Sequence, residues 1–220
     1  MIRTPAFLAA LSLLVGCGES APEAAPPGNV ANAAAADAAP PQPAPEADIV
    51  RVALETDAGA IVVELDARRA PITTANFLAY VDQHRFDGTT FYRAARTPGA
   101  SGRGFIQGGI RRSARRMLPG IAHEPTRRTG LRHVDGAISM ARREDGPGAM
   151  GDFFITVGAM PAMDARGREE GFAAFGRVVE GMDIVRGILA APTVPDAGRG
   201  AMRGQMITAP VRIVRARRLQ

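Results

Sequence analysis

The sequence has no lysine and no tryptophan, and only one cysteine. All 27 Lys/Arg positions are therefore arginines; they face 22 acidic residues, for a formal net charge of +5. A basic balance can attract nucleic acid or an anionic membrane. No basic run is interleaved with aromatics in the way a single-strand binder needs, so the charge reads as a solvated arginine surface with no nucleic-acid partner. Aromatics are 5% of the chain. Much of the apolar fraction is alanine, so the core is smaller than the 46% hydrophobic content implies. The lone Cys17 excludes a disulfide within the chain. His84, His123 and His133 lack a tight ligand spacing, and they read as surface or hydrogen-bonded histidines. No metal site and no cofactor are expected. The apolar run Ala6 to Val15 is too short to span a bilayer.

That run suits a different purpose. Arg3 precedes it as a short positive region, so residues 1–16 read as a signal peptide. Leu14-Val15-Gly16-Cys17 resembles a bacterial lipobox. The resemblance implies cleavage before Cys17 and a lipid on its thiol, and several acyl chains on one cysteine hold a protein firmly. Gly18 rather than Asp follows, which by the same resemblance points to the outer membrane of a Gram-negative cell, facing the periplasm. After Cys17, the stretch to residue 48 is rich in alanine and proline and cannot offset its ordering entropy. It reads as a disordered spacer before a folded domain over residues 49–218.

In the folded part, Ile49 to Thr56 alternates in strand fashion, Asp57-Ala58-Gly59 turns, and Ala60 to Leu65 returns as a hairpin. Pro71 suits the first position of a helix whose apolar spacing runs to about His84. Further strands are expected at Thr90–Arg93, Phe105–Gly108, Ala137–Ala141, Phe153–Val157, Ala173–Val179 and Val211–Arg215, with a second helix over Met182–Leu189. The fold class is mainly β: a closed eight-stranded antiparallel barrel capped by two α-helices. The Ile110–Val134 connection is long enough to be functional or partly disordered.

Several blocks stand in a telling order. They are Phe91-Tyr92-Arg93, Phe105-Ile106-Gln107-Gly108-Gly109, Gly136-Ala137-Ile138-Ser139-Met140-Ala141, Phe153-Phe154-Ile155 and Phe175-Gly176-Arg177-Val178-Val179-Glu180-Gly181-Met182-Asp183. Together they resemble a cyclophilin-type peptidyl-prolyl isomerase over about Val52 to Leu189. The resemblance implies a barrel that accelerates rotation about X–Pro bonds and binds proline-containing unfolded or extended polypeptides, as a monomer. It makes Arg93 the catalytic arginine, with Tyr92 in place of the usual histidine, and Gln107 its partner. It assigns Phe105, Ala141, Phe154, Met163 and Phe172 to substrate binding.

The chemistry fits those residue types. The amide resists rotation through resonance, with a barrier of about 18–20 kcal/mol. Twisting localises a lone pair on the prolyl nitrogen, and a fixed donor aimed there favours only the twisted form. Arginine is always charged, donates only, and is planar. No nucleophile or cofactor is required. The chain also departs from the family pattern. Gly104 stands where a phenylalanine wall is usual, Arg142 for Asn, Asp152 for Gln, and Ala162 for Trp. These changes leave open a second reading, a barrel that grips proline segments with little turnover.

Three further patterns compete. Gly146 to Gly151 matches G-x-G-x-x-G, but a strand pattern rather than a helix follows, so it reads as a loop. Ser139, His133 and Asp135 are hydrolase residue types without a nucleophile elbow. The pairs Arg111-Arg112, Arg115-Arg116 and Arg127-Arg128 read as solvated, with anionic headgroups as an alternative contact.

Overall fold

The computed structural model describes residues 48–111, 113–142 and 149–220. Cys17, the apolar run, the Ala/Pro-rich spacer, Arg112 and residues 146–148 lie outside them. The elements in order are β1 (Ile49–Thr56), β2 (Gly59–Asp66), α1 (Pro71–Asp82), β3 (Thr90–Arg96), β4 (Gly104–Gly109), α2 (Thr126–Thr129), β5 (Ala137–Arg142), β6 (Ala149–Val157), β7 (Ala173–Glu180), α3 (Met182–Ala190), β8 (Thr193–Val194) and β9 (Met206–Arg218).

Eight strands close a ring in the order β1-β2-β7-β5-β6-β4-β3-β9, and β9 pairs back to β1. Every pairing is antiparallel. The two-residue β8 adds only to β9. Helix α1 touches β2, β7, β6 and β9, and α3 touches β2, β3, β4 and β6. Strands on opposite sides of a ring can share one helix only if that helix lies across an opening, so each of the two plugs the barrel. The expected eight-stranded barrel with two capping helices is therefore observed, with α2 as an additional single turn.

Inside, Phe77 of α1 meets Phe86, Phe153 and Phe175 at ring-centroid distances of 5.0–5.3 Å, and Phe91 joins Phe153 at 5.7 Å. The few large rings are thus gathered at one place, where each contributes most to burial. Strand β9 begins earlier than its sequence suggests. Pro210 hides the continuity, because proline lacks a ladder donor. The register jumps from Met206 to Val211 opposite β3, so Pro210 sits in an excursion where no β3 partner needs its N–H. The end of α1 also falls short of His84. His84 takes a left-handed φ of 55°, and the Arg85 N–H turns back onto the Tyr80 carbonyl at 2.8 Å.

The Ile110–Val134 connection is ordered where described. The Glu124 carboxylate is buried and accepts the N–H groups of Ile72 and Thr73 at 3.3 and 2.7 Å, at the open N-terminus of α1. That terminus has no side-chain cap from its own flank, so a charge from fifty residues away satisfies it. Arg128 pairs with Glu124, Arg127 with Glu170, and Arg116 donates to the carbonyls of Arg85 and Asp87. Arg127 and Arg128 stay exposed, as expected of solvated side chains, while the partly buried Arg116 ties the connection to the turn between α1 and β3.

Glu124→Ala leaves one buried and one part-buried donor unmet and is expected to lower unfolding free energy by about 1–3 kcal/mol in chemical denaturation. Glu124→Gln should lose less, because it keeps an acceptor.

Candidate active site

The site is a product of strand alternation. On β4, Ile106 points into the barrel, so its neighbours Phe105 and Gln107 point out. On β6, Phe153 and Ile155 point in, and Phe154, directly opposite Gln107, points out. Ser139 of β5 lies opposite Phe154 on the same outer face. One run of adjacent strands thus buries two different sets of side chains, the core on the inside and a polar-aromatic cluster on the outside.

Arg93 reaches that outer face by a bulge. Phe91 pairs with Gly108 and Arg93 pairs with Gln107, so Tyr92 has no partner on β4. Without the extra residue, Phe91 and Arg93 would share a face. With it, Phe91 fills the core and Arg93 turns outward beside Gln107. Gly108 completes the arrangement, since a Cβ there would lie 2.8 Å from the Phe91 ring.

The half-buried Arg93 donates from Nη1 to Gln107 Oε1 at 2.9 Å and from Nε to Gln205 Oε1 at 2.8 Å. Its Cζ lies 4.9 Å from the centre of the Phe105 ring. Burial lowers its pKa somewhat and the adjacent Tyr92 opposes this; the guanidinium stays charged. Tyr92 bonds Asp152 and lies under the Arg111 guanidinium. Burial, then Asp152, pushes the phenol pKa far up, so Tyr92 remains a donor. Asp152 also accepts the Arg111 N–H at 2.8 Å. Its charge is thus engaged within the protein.

Beside Arg93, Phe105 packs on Phe154 at 5.3 Å, and Phe172 meets Phe154 edge-on at 5.3 Å. Met163 ends a single 3-10 turn, Pro161–Met163, and its carbonyl accepts the Phe172 N–H at 3.0 Å. Ala141 sits at a second bulge, between Met140 and Arg142, and the Arg142 guanidinium lies 5.9 Å over Phe172. The structure therefore gathers Arg93, Gln107, Phe105, Phe154 and Phe172 into one contiguous cluster. It joins Met163 to them through the backbone and leaves Ala141 on the flanking strand. Among the described residues no group of His, Cys, Asp and Glu could hold a metal ion.

Two features escaped the sequence reading. Gln205 stands 112 positions from Arg93, so no local spacing could pair them. His133 is buried and stacks on Phe154 at 5.7 Å. Its ring meets Asp164 at 2.7 Å through Nδ1 and Ser139 at 3.0 Å through Nε2. The acid is Asp164, not Asp135, which instead accepts from Arg186 and Gly158. Ser139 is fully buried, so these three groups form a support beneath the ring rather than a nucleophile. Gly104 has a physical reason as well. Its φ is 149°, and a Cβ would run into the Ala95 carbonyl oxygen across the ladder. The end of the G-x-G-x-x-G stretch, Ala149 to Gly151, is strand, the start of β6.

Residues 51–218 match the family model described as cyclophilin type peptidyl-prolyl cis-trans isomerase. Over 136 residues the chain is 37% identical to peptidyl-prolyl cis-trans isomerase A of Dickeya dadantii, covering 60% of this chain and 67% of that one. Over 150 residues it is 37% identical to peptidyl-prolyl cis-trans isomerase cyp18 of Streptomyces antibioticus, covering 67% and 87%. A solved cyclophilin type isomerase of Cryptosporidium parvum, crystallised in the presence of the dipeptide Ala-Pro, superposes with a TM-score of 0.60. It is 20% identical, with 77% of this chain and 99% of that one aligned, which is a likeness of fold.

Burial depresses the His133 pKa, and the Asp164 carboxylate only partly offsets it. A depressed group stabilises fully above its unfolded value, about 6.5, and its contribution is lost as pH falls through the folded value. The melting temperature should therefore drop between about pH 7 and pH 5. His133→Gln should flatten that slope in part, because burial and nearby arginines depress His123 as well. An unchanged slope would show that His133 titrates normally.

Proposed function

The chain belongs to the cyclophilin-type peptidyl-prolyl cis-trans isomerase family and catalyses rotation about X–Pro peptide bonds; we propose that it does so through Arg93, on proline-containing chains in the cell envelope. The observation that carries the reading is the fixed guanidinium. Two of its three nitrogens are engaged by glutamine carbonyls, and among the described residues no protein acceptor takes Nη2. A donor so held costs no reorganisation when the lone pair appears on the twisted prolyl nitrogen. The outward aromatic cluster of Phe105, Phe154 and Phe172 offers an apolar wall for the proline ring beside it. Rotation transfers no group between molecules, so binding the twisted form better than either planar one is sufficient. A thousandfold acceleration requires about 4 kcal/mol, within the range of one charge-assisted hydrogen bond plus ring packing.

Residues 17–48 serve as the spacer and a lipid on Cys17 as the anchor, facing the periplasm from the outer membrane. The barrel works as a monomer on unfolded or extended segments. The lipobox-like run and the spacer composition support this. A second reading, a barrel that grips proline-containing segments with little turnover, is favoured by Gly104 and Ala162, which stand where the family pattern carries large rings.

Arg93→Ala is expected to lower kcat/KM for a proline-containing peptide by about 10²–10³-fold. Peptide binding without acceleration by the wild type would instead select the second reading. Cys17→Ser should release the protein from membranes; a variant that still carried lipid would remove Cys17 as the anchor.

A further inference from the structure

Gln205 lies outside the conspicuous site blocks, on the far side of the ring in sequence. Yet it meets β3 twice. Its side-chain Oε1 accepts from Arg93 Nε at 2.8 Å, and its backbone carbonyl accepts the N–H of Ala94 at 2.9 Å. The residue is placed by the excursion in β9. Residues 207–210 leave β3 and pair instead towards β8, with Ile207 opposite Thr193 and the Thr208 N–H on the Pro192 carbonyl. The register then returns at Met206, opposite Arg93. The preceding turn is tied down by Gly204 N–H to the Ala197 carbonyl, Gln205 N–H to Met202, and an Arg203–Asp196 ion pair.

We propose that Gln205 is a positioning residue for the isomerase reaction, acting with Gln107 as a two-sided clamp on the guanidinium of Arg93. The inference rests on the catalytic reading of Arg93. One acceptor leaves a planar fork free to rotate about its bonded nitrogen. Two acceptors, on Nε and on Nη1, fix its plane and leave Nη2 as the donor beside Phe105. The clamp comes from two different strands, β4 and the lead-in to β9. Turnover is therefore set in part by the 195–205 connection, which supplies Gln205.

The test compares wild type, Gln205→Ala, Gln205→Glu, Arg93→Ala and the Gln205→Ala/Arg93→Ala double variant. Each is measured for kcat/KM on a proline-containing peptide and for melting temperature, and the forms that keep Arg93 also for its Nε–H resonance in a ¹⁵N spectrum. Gln205→Ala should lose about tenfold in kcat/KM, the effect of one lost charge-assisted bond. Its melting temperature should hold, because the backbone bonds do not need the side chain. Its Nε–H resonance should shift or broaden. Gln205→Glu keeps an acceptor and should recover most of the loss. The double variant should be no slower than Arg93→Ala alone. An active wild type whose Gln205→Ala form stays within about twofold overturns the proposal, as does a further tenfold loss in the Arg93→Ala background. An inactive wild type would overturn the Arg93 reading first, and the Nε–H resonance would still report whether Gln205 holds the guanidinium.

Discussion

One extra residue in β3 decides which face of the barrel Arg93 occupies. Strand periodicity would send Phe91 and Arg93 to the same face. The bulge at Tyr92 separates them by one side of the sheet, so the ring completes the core and the guanidinium meets Gln107. The bulge is not a loose end. Tyr92 is buried, bonded to Asp152 and covered by Arg111. The opposing strand answers it with its own excursion between Met206 and Val211. A barrel closed on itself has no slack in which such a shift could drift, because every register is fixed by both neighbours.

The second consequence is that β4, β5 and β6 are buried on both faces. The inner face is ordinary core. The outer face is roofed by connections that carry Phe172, Met163, His133 and Asp164. Long connections in this fold therefore act as walls and supports, and each is held by a charged or polar tie. Glu124 at the start of α1, Asp164 under His133 and Arg96 on the carbonyls at the end of α3 are three such ties. Buried polar groups of this kind stabilise only when fully partnered. That condition explains why the acid under His133 comes from a distant turn with the right geometry rather than from the nearby Asp135.

Much of the barrel was legible because alternation and turn residues are local signals. The hairpin of β1 and β2, helix α1 from Pro71 and helix α3 all follow from spacing over a dozen residues. The ordered motif blocks brought Arg93, Gln107, Phe105, Phe154 and Phe172 to attention, and the outer face of the sheet holds them together. What stayed hidden depends on tertiary closure. Gln205 meets Arg93 only because β9 returns beside β3. His133 joins Asp164 only through the turn after β6. The early start of β9 was masked by Pro210, whose missing donor matters only if a neighbour needs it. The connection from Ile110 to Val134 read as loose because its ties are single contacts to remote elements, which no window along the chain can sum.

Gly104 carries an implication for the engineering of this pocket. The backbone there adopts a conformation and an approach to Ala95 that exclude any side chain. A phenylalanine cannot be introduced at this position by a single codon change, since the β3–β4 turn would have to be rebuilt first. The position is locked by its backbone rather than by its neighbours' side chains: the Ala95 carbonyl oxygen occupies the space a Cβ would need. Efforts to graft a bulkier-ringed pocket onto this barrel must therefore start by transplanting the turn, not the residue.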